Sequence, residues 1–112
     1  SNVKTGKTAL GSERYVSWFE SSDAMESIKS ARAEGYMVVG LELASNAVPI
    51  NDLDLKNDIC FVVGHEDRGV SKKALDSCDS VTFIPQLGKV GSLNVSVAVS
   101  IALYEMRRQG WE

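Results

Sequence analysis

Two loops carry the residues most suited to gripping a small ligand. The first, Gly64-His65-Glu66-Asp67-Arg68-Gly69-Val70-Ser71, follows the apolar run Cys60-Phe61-Val62-Val63. The second, Pro85-Gln86-Leu87-Gly88-Lys89-Val90-Gly91-Ser92-Leu93-Asn94, leaves Ile84 and leads into an apolar stretch of helical character. Gly64, Gly69, Gly88 and Gly91 leave main-chain amides and carbonyls bare, so that backbone can approach a ligand with no side chain in the way. Glu66 can accept hydrogen bonds from loop amides or from Ser92 and Asn94, and either of the latter can cap the following helix through its side-chain oxygen. Such loops act together only if both leave the carboxyl ends of strands in one sheet, which is where open parallel sheets bind their ligands.

The elements that must position these loops are legible in outline. Tyr15-Val16-Ser17-Trp18-Phe19 is aromatic and β-branched with alternating character and reads as a short strand. Ser22 or Asp23 then caps an amphipathic helix, with Glu26 near its start and Met25, Ile28 and Ala31 recurring on one face until Gly35 stops it. Tyr36-Met37-Val38-Val39-Gly40-Leu41-Glu42-Leu43 is nearly all apolar, which fits a strand covered on both faces. Residues 44–56, with Asn46, Pro49 and Asn51, read as a connecting loop. Strands over 59–63 and 81–84 and helices over 71–77 and 94–108 complete the chain. This alternation predicts an α/β domain with a mostly parallel sheet and flanking helices. The last helix, with Val95, Val97, Ala98, Val99, Ile101, Ala102, Leu103 and Met106, has no broad polar face. It must be buried, either within the domain or partly against a second subunit.

At 112 residues and 44% hydrophobic the chain can form one domain with a real core, taken as residues 1–112. The net charge of −3 and pI near 5.1 argue against the overall basic footprint of a nucleic-acid binder. A local patch of Arg68, Lys72, Lys73 and Lys89 could still hold one or two phosphates, or could equally be a solvated helix face. No interleaving of aromatic and basic residues marks a platform for stacked bases. Cys60 and Cys78 lack metal-ligand spacing and read as small buried hydrophobes of a reducing compartment, with no metal expected. His65, the single histidine, has no evident partner for chemistry. No window approaches the ~18 uncharged apolar residues of a membrane span, and the expectation is a soluble, cytoplasmic protein.

The two loops, in this order and spacing, resemble the second and third signature motifs of the SpoU (TrmH-like) branch of the SPOUT RNA methyltransferases. The resemblance runs from about Lys7 to the end and is densest from Phe61 to Glu105. It implies a deep trefoil knot in the C-terminal half and S-adenosyl-L-methionine as cofactor. It also implies methylation of RNA, tRNA or rRNA, at ribose 2′-hydroxyls, and a homodimer packed through the C-terminal helix. Carried over by position, it puts cofactor contacts at Gly64, Ile84 and Leu93, with Gly69 and Gly88 shaping the loops. Glu66, Ser92 and Asn94 would line the reacting centre, Glu66 shaping the pocket rather than moving a proton. The family's first motif, with an asparagine and the arginine assigned to catalysis, should precede Lys7-Thr8-Ala9-Leu10-Gly11, so the chain is expected to be N-terminally truncated and to bind cofactor without turning over RNA. Arg14 lies too late to replace that arginine. Two alternatives share these residues: a non-catalytic SPOUT-like module that dimerises or holds RNA, and an ordinary nucleotide-binding regulator with an unknotted sheet.

Overall fold

The computed structural model describes residues 4–9, 15–21, 25–42, 46–64, 69–85 and 95–110. In chain order these form β1 (Lys4–Ala9), β2 (Tyr15–Glu20), α1 (Met25–Ala33), β3 (Met37–Leu41), β4 (Val48–Pro49), a 3₁₀ turn (Ile50–Asp52), β5 (Ile59–Val63), α2 (Lys72–Ser77), β6 (Ser80–Phe83) and α3 (Val95–Gln109). One six-stranded sheet runs β1-β2-β5-β3-β6-β4. Only β1 is antiparallel to its neighbour; every other pair is parallel.

The expected strands and helices are present within a residue or two, and two further strands occur. β1 has little apolar patterning, and backbone pairing with β2, from Lys4 opposite Glu20 to Ala9 opposite Tyr15, holds it at the edge. Gly6 lies under the Trp18 indole there, where a Cβ would come within 2.0 Å of the ring. β4 and the 3₁₀ turn lie inside the segment expected to be loop. Pro49 is tolerated in β4 because this is the other edge of the sheet, where a missing amide breaks no ladder.

The strand period of two splits the core into two layers. Ile59, Phe61 and Val63 of β5 join Val39, Leu41, Val16 and Leu55 beneath Ala98, Val99, Ala102 and Met106 of α3. Cys60 and Val62 point the other way, toward Ile28 of α1 and Ala74 of α2. All five residues of β5 are buried, which explains why this run reads as continuously apolar.

Local chemistry ends and starts the helices. Gly35, at φ +93, closes α1: its amide donates to Arg32 and the Tyr36 amide reaches back to Ala31, pairing carbonyls that the helix leaves open. Ser71 caps α2, its hydroxyl accepting from the Ala74 amide at 3.1 Å. Asp79 accepts the Val38 amide at 2.8 Å and meets Arg32 at 3.2 Å, tying the start of β6 to β3 and α1.

Candidate functional site at the carboxyl ends of the central strands

The parallel register sets the geometry of the site. Leu41 pairs with Val63 on one side and with Thr82 on the other, so Gly64, Glu42 and the end of β6 lie at one level along the sheet edge. β3 separates the two loop-bearing strands. At about 4.8 Å per strand the ends of β5 and β6 are therefore roughly 10 Å apart, the span of a flat heterocycle with its flanking groups.

At the end of β5 the main chain is packed against itself. A Cβ on Gly64 would sit 2.1 Å from the carbonyl carbon of Gly69 and 2.5 Å from its Cα. Gly69 has φ +66, a left-handed conformation that a side chain disfavours, and a Cβ there would press on the Glu42 carboxylate at 2.6 Å. The two ends of this loop thus meet as bare backbone. Glu42 adds a contact that the sequence reading missed. Its Oε1 accepts the Val70 amide at 2.7 Å, while its own amide donates to the Thr82 carbonyl at 2.9 Å. The signal was present as the lone carboxylate in the otherwise apolar run 36–43.

Ile84 stands at the exit of β6, half-buried against the α3-side core, with Pro85 exposed beside it. Lys72 and Lys73 are exposed on α2, and Lys72 is engaged by Asp76 at 2.9 Å. Glu66, Arg68, Gly88, Lys89, Ser92, Leu93 and Asn94 lie outside the described residues. Among the described residues no cluster of histidine, cysteine and carboxylate has the makings of a metal centre, and no helix is long and apolar enough to cross a membrane.

The two thiols are poor candidates for nucleophiles. Burial raises the Cys60 pKa; burial, then the neighbouring Asp79 carboxylate, pushes Cys78 up to about 12. Both thiols are free and hold their protons at neutral pH, whereas a reactive cysteine needs the thiolate.

On α3, Ala98, Val99, Ala102 and Met106 face the sheet, whereas Val97 and Tyr104 are 45% and 59% exposed. Ser96, Ser100 and Ile101 complete a shallow, largely apolar hollow around them. The apolar belt foreseen around this helix is therefore covered on one side and open on the other.

The sequence profile of the SpoU rRNA Methylase family matches residues 1–104. The tRNA (guanosine(18)-2′-O)-methyltransferase of Escherichia coli (strain K12) is 33% identical over 101 residues, covering 90% of this chain and 44% of that protein. The 23S rRNA (guanosine-2′-O-)-methyltransferase RlmB of Acinetobacter baylyi is 35% identical over 104 residues, covering 92% of this chain and 42% of that protein. The chain thus spans less than half the length of these relatives. Among solved structures, the TrmH/SpoU tRNA modifying enzyme of A. aeolicus superimposes with a TM-score of 0.67 at 34% identity, over 76% of this chain and 43% of that one. An AdoMet-bound rRNA methyltransferase from Sinorhizobium meliloti does so with a TM-score of 0.69 at 29% identity, over 80% of this chain and 34% of that one.

Proposed function

The chain belongs to the SpoU rRNA methylase family, and we propose from that premise that it is the cofactor-binding domain of an S-adenosylmethionine-dependent RNA methyltransferase acting at a ribose 2′-hydroxyl of tRNA or rRNA. The observation that carries this reading is the bare main chain where Gly64 meets Gly69, at the end of a strand set one position away from the exit of β6. Main chain free of side chains at a strand end suits a planar ring that is held through peptide groups. The relatives named for 2′-O-methylation of guanosine supply the reaction class.

In this reading Gly64 and Gly69 present main-chain groups to the adenosyl moiety, and Ile84 and Leu93 flank it. Bound S-adenosylmethionine supplies an electrophilic methyl group on an already good leaving group. The protein's task is therefore alignment, which can account for much of the acceleration, and removal of the ribose proton. Glu66, Ser92 and Asn94 are assigned to shape the reacting end. No residue of the 112 matches the arginine that the family resemblance assigns to the proton, so this chain by itself is proposed to bind cofactor and not to turn over RNA. Lys73, together with Arg68 and Lys89, would meet RNA phosphates; Lys72 contributes less because Asp76 already engages it.

Two structural expectations belong to the same proposal. The C-terminal trefoil knot is supported by the likeness to solved SpoU structures, and a homodimer through α3 is supported by its exposed Val97 and Tyr104. The test is calorimetric titration with S-adenosylhomocysteine and, separately, with ATP, using the parent chain and the variants Gly64→Val and Leu93→Arg. Selective heat with S-adenosylhomocysteine, lost in both variants, is the expected result. Unaltered binding in the variants would remove the site, and equal affinity for ATP would favour a general nucleotide binder.

A further inference from the structure

The two cofactor loops leave β5 and β6, but these strands do not touch: β3 lies between them and ends at Leu41, directly before Glu42. The residue at this point meets both sides of the cleft, one through its backbone and the other through its side chain. Glu42 is bonded through its backbone amide to Thr82 of β6 at 2.9 Å and through its carboxylate to the Val70 amide at 2.7 Å. The carboxylate also backs onto Gly69, where a Cβ would stand 2.6 Å from Oε1. Gly69 in turn is the residue whose main chain packs on Gly64.

From this chain of contacts we propose that Glu42 is a positioning residue of the cofactor cleft. Its carboxylate draws the Gly69–Val70 peptide down onto the end of β3 and so holds the returning arm of the first loop against Gly64. This inference rests on the cofactor reading given above, but it concerns a residue outside both glycine-rich loops and outside the expected site. A carboxylate suits the task because a charged acceptor bonds an amide more strongly than a neutral one. Glutamine would keep a carbonyl oxygen at the same reach, alanine would leave the Val70 amide without this acceptor, and aspartate would fall one methylene short.

The experiment compares the parent protein with Glu42→Gln, Glu42→Asp and Glu42→Ala, reading S-adenosylhomocysteine affinity by calorimetry and Val70 amide hydrogen exchange in ligand-free protein. Glu42→Ala should weaken binding about tenfold or more and accelerate Val70 exchange, whereas Glu42→Gln should stay within about threefold of the parent. A glutamine variant as weak as the alanine one, or an alanine variant that binds like the parent, would overturn the proposal. Should Glu42→Ala unfold, Glu42→Asp takes its place: weaker binding with faster Val70 exchange supports the role, and parent-like values overturn it. If the parent itself gives no heat with the ligand, the cofactor reading fails. In that event Val70 exchange still decides whether Glu42 sets the loop: unchanged exchange in Glu42→Ala overturns this inference as well.

Discussion

Gly64 and Gly69 touch through their main chains: the position a Cβ would take on Gly64 lies 2.1 Å from the Gly69 carbonyl carbon. Backbone cannot swing aside as a side-chain tip can. Gly64→Ala should therefore separate the two arms of the loop and abolish S-adenosylhomocysteine binding, at a stability cost of about 1–3 kcal/mol from overpacking. Gly35→Ala is the control, since nothing lies within 4 Å of its Cβ position although φ is +93. It should lower stability by about 1 kcal/mol through backbone strain alone and leave binding intact. Equilibrium unfolding and calorimetry on both variants check the contrast; equal loss of binding in the two would detach the effect from the loop.

The open side of α3 makes a separate claim. Val97 is 45% exposed beside Ser100 and Ile101, so a charge there is nearly free in an isolated chain but unfavourable if buried against a second copy. For the proposed homodimer, Val97→Glu should shift sedimentation from dimer to monomer with little change in monomer stability. A variant that sediments as the parent does would remove this face as the subunit contact.

Acid should loosen the end of α3. Arg108 grips the Glu105 carboxylate with two bonds of 2.9 and 2.7 Å, and Gln109 adds one at 3.0 Å while also accepting the Leu55 amide and donating to the Leu53 carbonyl. The Arg108 hydrogen bonds, opposed by burial and aided by Gln109, hold the Glu105 pKa below its ordinary 4.5. A depressed pKa means the unfolded chain takes up the proton first. The stabilisation is therefore fully present above about pH 4.5 and is lost as pH falls through the folded value. Glu105→Gln should flatten that acid limb of the stability curve. Gln109→Ala should remove two bonds to the 53–55 backbone and lower stability by about 1–3 kcal/mol in urea titrations.

Alkali should act through Cys78. Burial, Asp79 and Cys60 raise its pKa from 9.0 to about 12, with Arg32 opposing. Here the unfolded chain ionises first as pH rises, so the contribution is whole below pH 9.0 and declines up to about pH 12. Cys78→Ser should shift the alkaline midpoint. Iodoacetamide at neutral pH should label the native thiols about tenfold or more slowly than the urea-unfolded ones; equal rates would contradict their protonated state.

Much of this molecule is written locally. The apolar run 59–63, the glycine stop at Gly35 and the Ser71 cap each act over a few neighbouring residues, so composition and spacing predict the elements that follow. The glycines of the first loop were legible for the same reason, because a bare backbone leaves a mark in the sequence. β1 and β4 left almost none: they are held by backbone pairing with β2 and β6, and a peptide hydrogen bond does not depend on which side chain flanks it.

What the amino-acid sequence determined by itself was the kind of element at each position and the two bends that carry glycine, since these follow from propensity, periodicity and capping. Only the tertiary structure decided that β3 stands between β5 and β6, and hence that Glu42 lies between the strand ends from which the two loops leave. Strand order in a parallel sheet is set by long-range pairing and by crossover helices that pack over neighbours distant in the chain. A carboxylate in an apolar run acquires its partner only when that pairing is made.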